Sequence, residues 1–201
     1  STLMKILTGI YRADNGILEI DGRPAEVKSP TDAQKLGIAI IHQELNLLPE
    51  MTVAENFFLG REWVKGGVLQ KNAMQDAANK HLQALQANFT ANDYSKDLSV
   101  GQQQLVEIAR ALSADAKVII MDEPTAALTE PEIQRLFVLV RQLAAKGVGL
   151  VYVSHRMEEI FQICQRITVL RDGVSVGTEN VADIHFNDVV RMMVGRELTE
   201  R

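Results

Sequence analysis

Two acids directly follow an apolar run in Val118-Ile119-Ile120-Met121-Asp122-Glu123-Pro124-Thr125. Four apolar residues in a row read as a strand buried on both faces of a parallel sheet. A carboxylate at the mouth of such a strand needs a cation or a hydrogen-bonding partner, and two in succession call for a chemical reason. At the carboxyl end of a parallel strand they face the crevice in which open α/β sheets hold ligands. There Asp122 can support Mg²⁺ through water, and Glu123 can polarise a water for attack on a phosphoryl group. The competing reading, an acidic surface turn, does not explain why the acids end an apolar strand.

Three further signals are weaker one by one. In Leu98-Ser99-Val100-Gly101-Gln102-Gln103-Gln104, Ser99 precedes Gln102 by three residues, a capping box, and Leu105, Ile108, Ala109 and Leu112 give the following helix an apolar face. Ser99 then stands at a helix N-terminus, a ready anion site, though an ordinary cap has the same pattern. Val151-Tyr152-Val153-Ser154-His155 ends a second apolar run on a histidine, which can contact a phosphate, place a water or be structural. Ile41-His42-Gln43-Glu44 sets Gln43 just past a third run, where a lone glutamine carries no meaning of its own.

Those residues need elements to hold them. Residues 36–41 and 148–153 read as buried strands beside 118–121. Ile133, Leu136, Phe137 and Val140 mark one helix face, started by a Thr129–Glu132 capping box with Pro131 in the first turn. Residues 158–164 read as helix with Cys164 in its core face, 167–170 as a third strand after residue 117, Asp172-Gly173 as a turn into 174–176, and 187–194 as a helix closed by Gly195. Alternation of strand and helix implies a parallel sheet covered by helices. Upstream, residues 2–9 predict a short helix with Leu3, Ile6, Leu7 and Ile10 on one face, and turn residues around 17–22 predict a hairpin. Between these halves, residues 45–113 are rich in Ala, Gln and Leu, with helices over 52–58 and 73–87 broken by Gly66-Gly67. This predicts an all-helical insert, in which Trp63 either packs on Phe57 and Phe58 or faces a partner, packing being favoured.

Composition narrows the classes. With 201 residues, 46% hydrophobic and 23% charged, the chain can bury a sizeable core. No apolar run approaches the roughly 20 residues of a membrane helix, so work at a membrane would require docking onto another protein. A net charge of -5 with scattered basic residues points away from nucleic acid. One cysteine, Cys164, excludes an internal disulfide and fits a reducing compartment.

The order of these signals resembles the ATP-binding-cassette ATPases along nearly the whole chain. The resemblance assigns 98–104 to the family's signature, 118–123 to its Walker B strand, His155 to its switch histidine and Gln43 to the glutamine joining its two subdomains. Ser1-Thr2-Leu3 is similar to the residues just past the lysine in G-x-x-x-x-G-K-[ST]. On that reading Ser1 is a Mg²⁺-coordinating hydroxyl, and the helix from Thr2 turns its dipole toward the β-phosphate. The loop's glycines and lysine, the strand before them and an adenine-stacking aromatic would precede Ser1. The expected fold is α/β: a P-loop NTPase core with a parallel sheet and a helical signature subdomain at 45–113, starting partway through its phosphate loop. Such a chain alone is expected to bind ATP weakly and not to hydrolyse it.

Closer matches lie in Ile40-Ile41-His42-Gln43-Glu44-Leu45-Asn46-Leu47, Glu55-Asn56-Phe57-Phe58-Leu59-Gly60-Arg61-Glu62, Val153-Ser154-His155-Arg156-Met157 and Met192-Met193-Val194-Gly195-Arg196. These look like the ATPase subunits of bacterial monosaccharide importers, a group serving ribose, galactose, arabinose and xylose, with two cassettes in one chain; this one resembles the first. The resemblance implies ATP and Mg²⁺ as ligands, catalysis by Glu123 and His155, and nucleotide contacts from Ser1, Thr2, Gln43, Ser99, Gly101 and Gln102. Metal contacts would come from Ser1, Asp122 and Gln43. It implies as partners a second cassette, whose γ-phosphate Ser99 and Gly101 would touch, and a transmembrane sugar permease docked near residues 47–58. A periplasmic sugar-binding protein would act through the permease, no nucleic acid would be bound, and the site of action would be the cytoplasmic face of the inner membrane.

Two departures stand out. Val100 replaces the first Gly of the common Leu-Ser-Gly-Gly-Gln, and Ala126 and Thr129 stand where Ser and Asp are usual after Pro124. That Asp couples the two sites, so Thr129 favours the alternative of a regulatory cassette that binds ATP without turnover; Glu123 and His155 oppose it. DNA-repair cassettes usually carry a coiled coil or zinc insert in place of 45–113, and a translation-factor cassette would be more basic.

Overall fold

The computed structural model describes residues 2–42, 45–114 and 116–195. Ser1 and Gln43 lie outside the described residues, so their expected roles have no structural counterpart here. The chain divides into two units, residues 1–153 and 154–201.

The first unit opens with α1 (Thr2–Leu7), an antiparallel hairpin of β1 (Leu18–Ile20) and β2 (Arg23–Ala25), then α2 (Pro30–Lys35) and β3 (Ile38–Ile41). The hairpin turns on Asp21-Gly22, both at positive φ (53° and 71°), the backbone of a tight I′ turn. Next come α3 (Val53–Phe58), β4 (Val64–Lys65), β5 (Val68–Leu69), α4 (Lys71–Ala84) and α5 (Val100–Ser113). The unit ends with β6 (Val118–Asp122), α6 (Glu130–Ala145) and β7 (Gly149–Val153). Strands β3, β6 and β7 form a parallel sheet with β6 in the middle, in the register Ile38↔Val118, Met121↔Tyr152 and Asp122↔Val153.

A middle strand must be covered on both faces, and the sequence of β6 allows it. Ile119, Ile120 and Met121 are 1%, 1% and 0% exposed. Ile120 joins Met4 of α1, Ala33 of α2 and Ile38 in one cluster, with Val151 and Val153 packed against it. Strand alternation sends Met121 to the opposite face. Its register partner Tyr152 meets Phe137 of α6 edge-on, ring centroids 6.3 Å apart. Helix α6 buries Ile133, Leu136, Phe137 and Val140, the face read from the sequence. β7 is only half-buried, not fully buried as its apolar sequence predicts, since among the described residues it pairs with β6 alone.

Other expectations are corrected. Helix α1 buries Met4, and Thr8 after it, while Leu3 and Ile10 are 44% and 45% exposed. The cluster of Ile120 and Ala33 takes Met4 and Leu7, so Leu7 of the expected face is kept while Leu3 and Ile10 turn outward. Just past α1, a Cβ on Gly9 would lie 2.5 Å from the Ser29 carbonyl, so the close approach to the start of α2 requires glycine. Helix α2 has no apolar periodicity and is invisible to that criterion. Its start is written in Ser29-Pro30, with the Asp32 N–H donating to Ser29 Oγ at 3.2 Å. Leu36 caps this helix, so β3 begins at Ile38.

Region 45–113 is not all-helical. Gly66 and Gly67, at φ 59° and 79°, make the tight turn of the β4–β5 hairpin. Helices α3, α4 and α5 pack on one another, and Phe57, Leu82, Val106 and Ile108 are among their buried residues. Trp63 packs its ring on Phe58 at 5.0 Å, the alternative favoured by the sequence, and is 45% exposed. Buried Asn56 holds the chain before α3, its amide donating to Leu48 O at 3.0 Å and accepting the Leu48 N–H at 2.7 Å.

The second unit contains α7 (Met157–Ile163), β8 (Arg166–Arg171), β9 (Val174–Asn180) and α8 (Phe186–Val194). β8 pairs antiparallel with β9 across Asp172-Gly173, so the run at 167–170 does not extend the parallel sheet. A two-residue turn cannot make a parallel crossover. Helix α8 ends at Gly195 in the left-handed conformation, as its sequence indicates. Cys164 lies one residue beyond α7, half-buried and not on a core helix face, and burial pushes its thiol up to about 11. Among the described residues no helix is long and apolar enough to cross a membrane.

Phe137 is 0% exposed. Phe137→Ala is expected to destabilise the fold by about 3–5 kcal/mol, read from the urea midpoint. Only a thiolate alkylates, and Cys164 is raised from 9.0 to about 11. At pH 8 the folded chain is therefore expected to react with iodoacetamide on the order of 100-fold more slowly than the unfolded chain. Equal rates would put that thiol in water.

Candidate active site

β6 carries its two acids out of the core in different ways. Asp122 is the last residue of the strand and 9% exposed. By strand alternation it shares the face of Ile120, the face on which α1 packs. Glu123 makes one more ladder bond, its N–H donating to Val153 O at 2.9 Å. Its φ is then 50°, a left-handed conformation that costs a non-glycine residue about 1–3 kcal/mol. This turns the chain sharply at the mouth of the strand. Pro124 and Thr125 are buried behind it.

Two tight turns come next, the Ala126 N–H on Glu123 O at 3.3 Å and the Leu128 N–H on Thr125 O at 3.1 Å. They deliver Thr129 to the start of α6. The Glu132 carboxylate accepts from the Thr129 N–H at 2.8 Å and from its hydroxyl at 2.7 Å. Thr129 therefore serves as a helix cap.

Ser99 has the extended backbone of an N-cap, and both bonds of its capping box are formed. Its Oγ accepts the Gln102 N–H at 3.3 Å, and Gln102 Oε1 accepts the Ser99 N–H at 2.8 Å. Gln102 Nε2 donates to Asn88 Oδ1 at 2.9 Å, so the Gln102 side chain braces the cap. Ser99 and Val100 are exposed at the tip of the helix. Gly101 has a steric reason within its own chain: a Cβ there would lie 2.8 Å from Ala127 O. The missing side chain lets the start of α5 touch the loop beyond Glu123.

His155 is exposed and lies in the second unit. Its neighbours Ser154 and Arg156 both bond Glu159 of α7. Thr2 is exposed as the first residue of α1. Neither Asn88 nor Glu159 is apparent from sequence. Glu158-Glu159 at a helix start reads as a pair of dipole-matching acids, and nothing in the spacing tells which one turns inward. Among the described residues no three His, Cys, Asp or Glu side chains gather as a metal site.

The sequence profile of the family described as ABC transporter matches residues 1–126. The ribose import ATP-binding protein RbsA of Bacillus licheniformis is 55% identical over 100% of this chain and 41% of its own length. Those of Chromobacterium violaceum and Bacillus subtilis are 57% and 53% identical, again over 100% of this chain and over 40% and 41% of theirs. The chain thus spans about two fifths of the length of these curated relatives. Among solved structures, the ADP conformation of an ATP-binding cassette of an ABC transporter superposes with TM-score 0.76 at 27% identity, over 97% of this chain and 83% of that one. A dimeric post-hydrolysis cassette bound to ADP and Pi gives TM-score 0.76 at 26% identity, over 90% and 79%. With a profile match over more than half its residues and relatives above 50% identity along its full length, the chain belongs to the ABC transporter family, as an ATP-binding cassette.

Proposed function

We propose that the intact protein is the ATP-hydrolysing subunit of a bacterial monosaccharide importer and that this chain is the first of its two cassettes. The observation that carries the reading is Asp122 and Glu123 at the carboxyl end of the buried middle strand, with Glu123 turned out of the ladder at φ 50°. Ribose is the sugar in the names of the relatives, and it is the proposed cargo. The sugar itself would be chosen by a periplasmic binding protein and a transmembrane permease. The cassette would work at the cytoplasmic face of the inner membrane without entering it.

The chemistry is positioning and charge stabilisation. Glu123 orients the attacking water and draws on its proton. His155 donates a hydrogen bond to the γ-phosphate. Ser1, Thr2 and Gln43 complete the contacts to the nucleotide on this side. The exposed tip of α5, with Ser99 and Gly101, meets the γ-phosphate held by a second cassette, and Gln102 keeps that tip in shape. A single carboxylate suits Mg²⁺, which is usually held by one or two carboxylates together with phosphate oxygens and water. Asp122 would hold it, with Ser1 and Gln43. When bound, the ion neutralises charge developing on the phosphate oxygens.

Docking of the permease is proposed on the stretch before α3. Val53, Ala54, Phe57 and Phe58 are buried, which leaves Leu48, Pro49 and Glu50 as the exposed part of the 47–58 segment. Asn56 holds that stretch in place through Leu48.

A second reading, a regulatory cassette that binds ATP without turnover, is favoured by Thr129, whose hydroxyl and N–H both go to Glu132. Hydrolysis by the intact protein with and without its permease separates the two readings. In the intact protein, Glu123→Gln is expected to leave ATP binding unchanged and slow hydrolysis by roughly 10²-fold or more at saturating MgATP. Wild-type turnover in that variant would remove Glu123 from the role. Ser99→Arg, at an exposed tip, is expected to spare ATP binding and block ATP-driven closure of the two cassettes, monitored by crosslinking or light scattering. An unchanged closure signal would return Ser99 to being a cap alone.

A further inference from the structure

One buried carboxylate holds both chain neighbours of His155. Glu159 lies in the first turn of α7 and is 3% exposed. Its Oε2 accepts from the Ser154 hydroxyl at 3.2 Å, and its Oε1 meets the Arg156 guanidinium at 2.8 Å. The Ser154 hydroxyl oxygen in turn accepts the Arg156 backbone N–H at 3.0 Å. His155, between them, is exposed. A buried carboxylate is unfavourable unless its partners are close and well aligned. Matching the helix dipole does not require burial, since Glu158 in the same turn does so while exposed. What sets Glu159 apart is its bonds to residues 154 and 156.

We infer that Glu159 is a positioning residue for His155: its clasp on Ser154 and Arg156 fixes the backbone on both sides of the histidine, so that the ring is presented in one place before the nucleotide is bound. The inference rests on the role proposed for His155 at the γ-phosphate. Glu159 acts through its neighbours and touches no ligand, so its loss should change turnover and leave nucleotide affinity alone. A misplacement of about 1 Å in a positioned group can lower a rate by about 10²-fold.

The test is steady-state MgATP hydrolysis by the intact protein in five forms: wild type, Glu159→Ala, Glu159→Gln, His155→Ala and the Glu159→Ala/His155→Ala double variant. Glu159→Ala is expected to lower kcat roughly 10- to 100-fold, with KM for MgATP within about twofold of wild type. The double variant is expected to be no slower than His155→Ala, because there is then no histidine left to position. Glu159→Gln keeps an acceptor oxygen for Ser154 and is expected to retain more of the rate than Glu159→Ala. Thermal melting checks that each variant folds, and if Glu159→Ala does not, Glu159→Gln takes its place throughout. If Glu159→Ala slows the His155→Ala protein as much as it slows wild type, its effect does not run through the histidine and the inference is wrong. A full rate in Glu159→Ala beside a slow His155→Ala also overturns the inference, and it alone. A full rate in His155→Ala overturns the role of the histidine and takes the inference with it.

Discussion

Met121 has no exposed surface, and Ile119 and Ile120 have almost none, because β6 runs between β3 and β7 with helices over both faces. Full burial of side chains of this size stabilises by about 1.5–3 kcal/mol each. It also fixes where β6 ends. Asp122 still belongs to the strand at 9% exposure, and the chain leaves the sheet at Glu123, so the apolar run ends where the acids begin. The position of both carboxylates is thus a consequence of the core.

Beyond β6 the chain is held by close backbone approaches and local polar bonds. The left-handed φ at Glu123, the two turns after it and the Thr129 cap carry the chain through residues 123–129 into α6. Gly101 lets the tip of α5 rest on this stretch at Ala127. Elsewhere the same device recurs as Glu159 under His155 and Asn56 under the stretch before α3, each a buried polar side chain that organises an exposed segment.

Region 45–113 shows a limit of periodicity as a guide. Composition rich in Ala, Gln and Leu predicts α3 and α4, the Ser99–Gln102 capping box with its apolar face predicts α5, and all three are present. In the sequence Gly66-Gly67 reads as a simple break. In the fold it is the turn of a hairpin whose strands are two residues long, too short for alternation to register. Helix α2 escapes for a related reason. At six residues it shows a cap and a first-turn proline but no stripe.

The sequence by itself determined the parallel core strands, the capped starts of α5 and α6, and the acids that end β6. Each of these is set by neighbours within a few residues: an apolar run, a Ser or Thr three before a Glu or Gln, a carboxylate after a buried strand. Only the tertiary structure decided which stripe of α1 is buried and that Gly101 answers to Ala127. It also decided that Glu159 turns inward while Glu158 does not. These outcomes depend on partners far along the chain or on the aim of one side chain, and a local pattern contains neither.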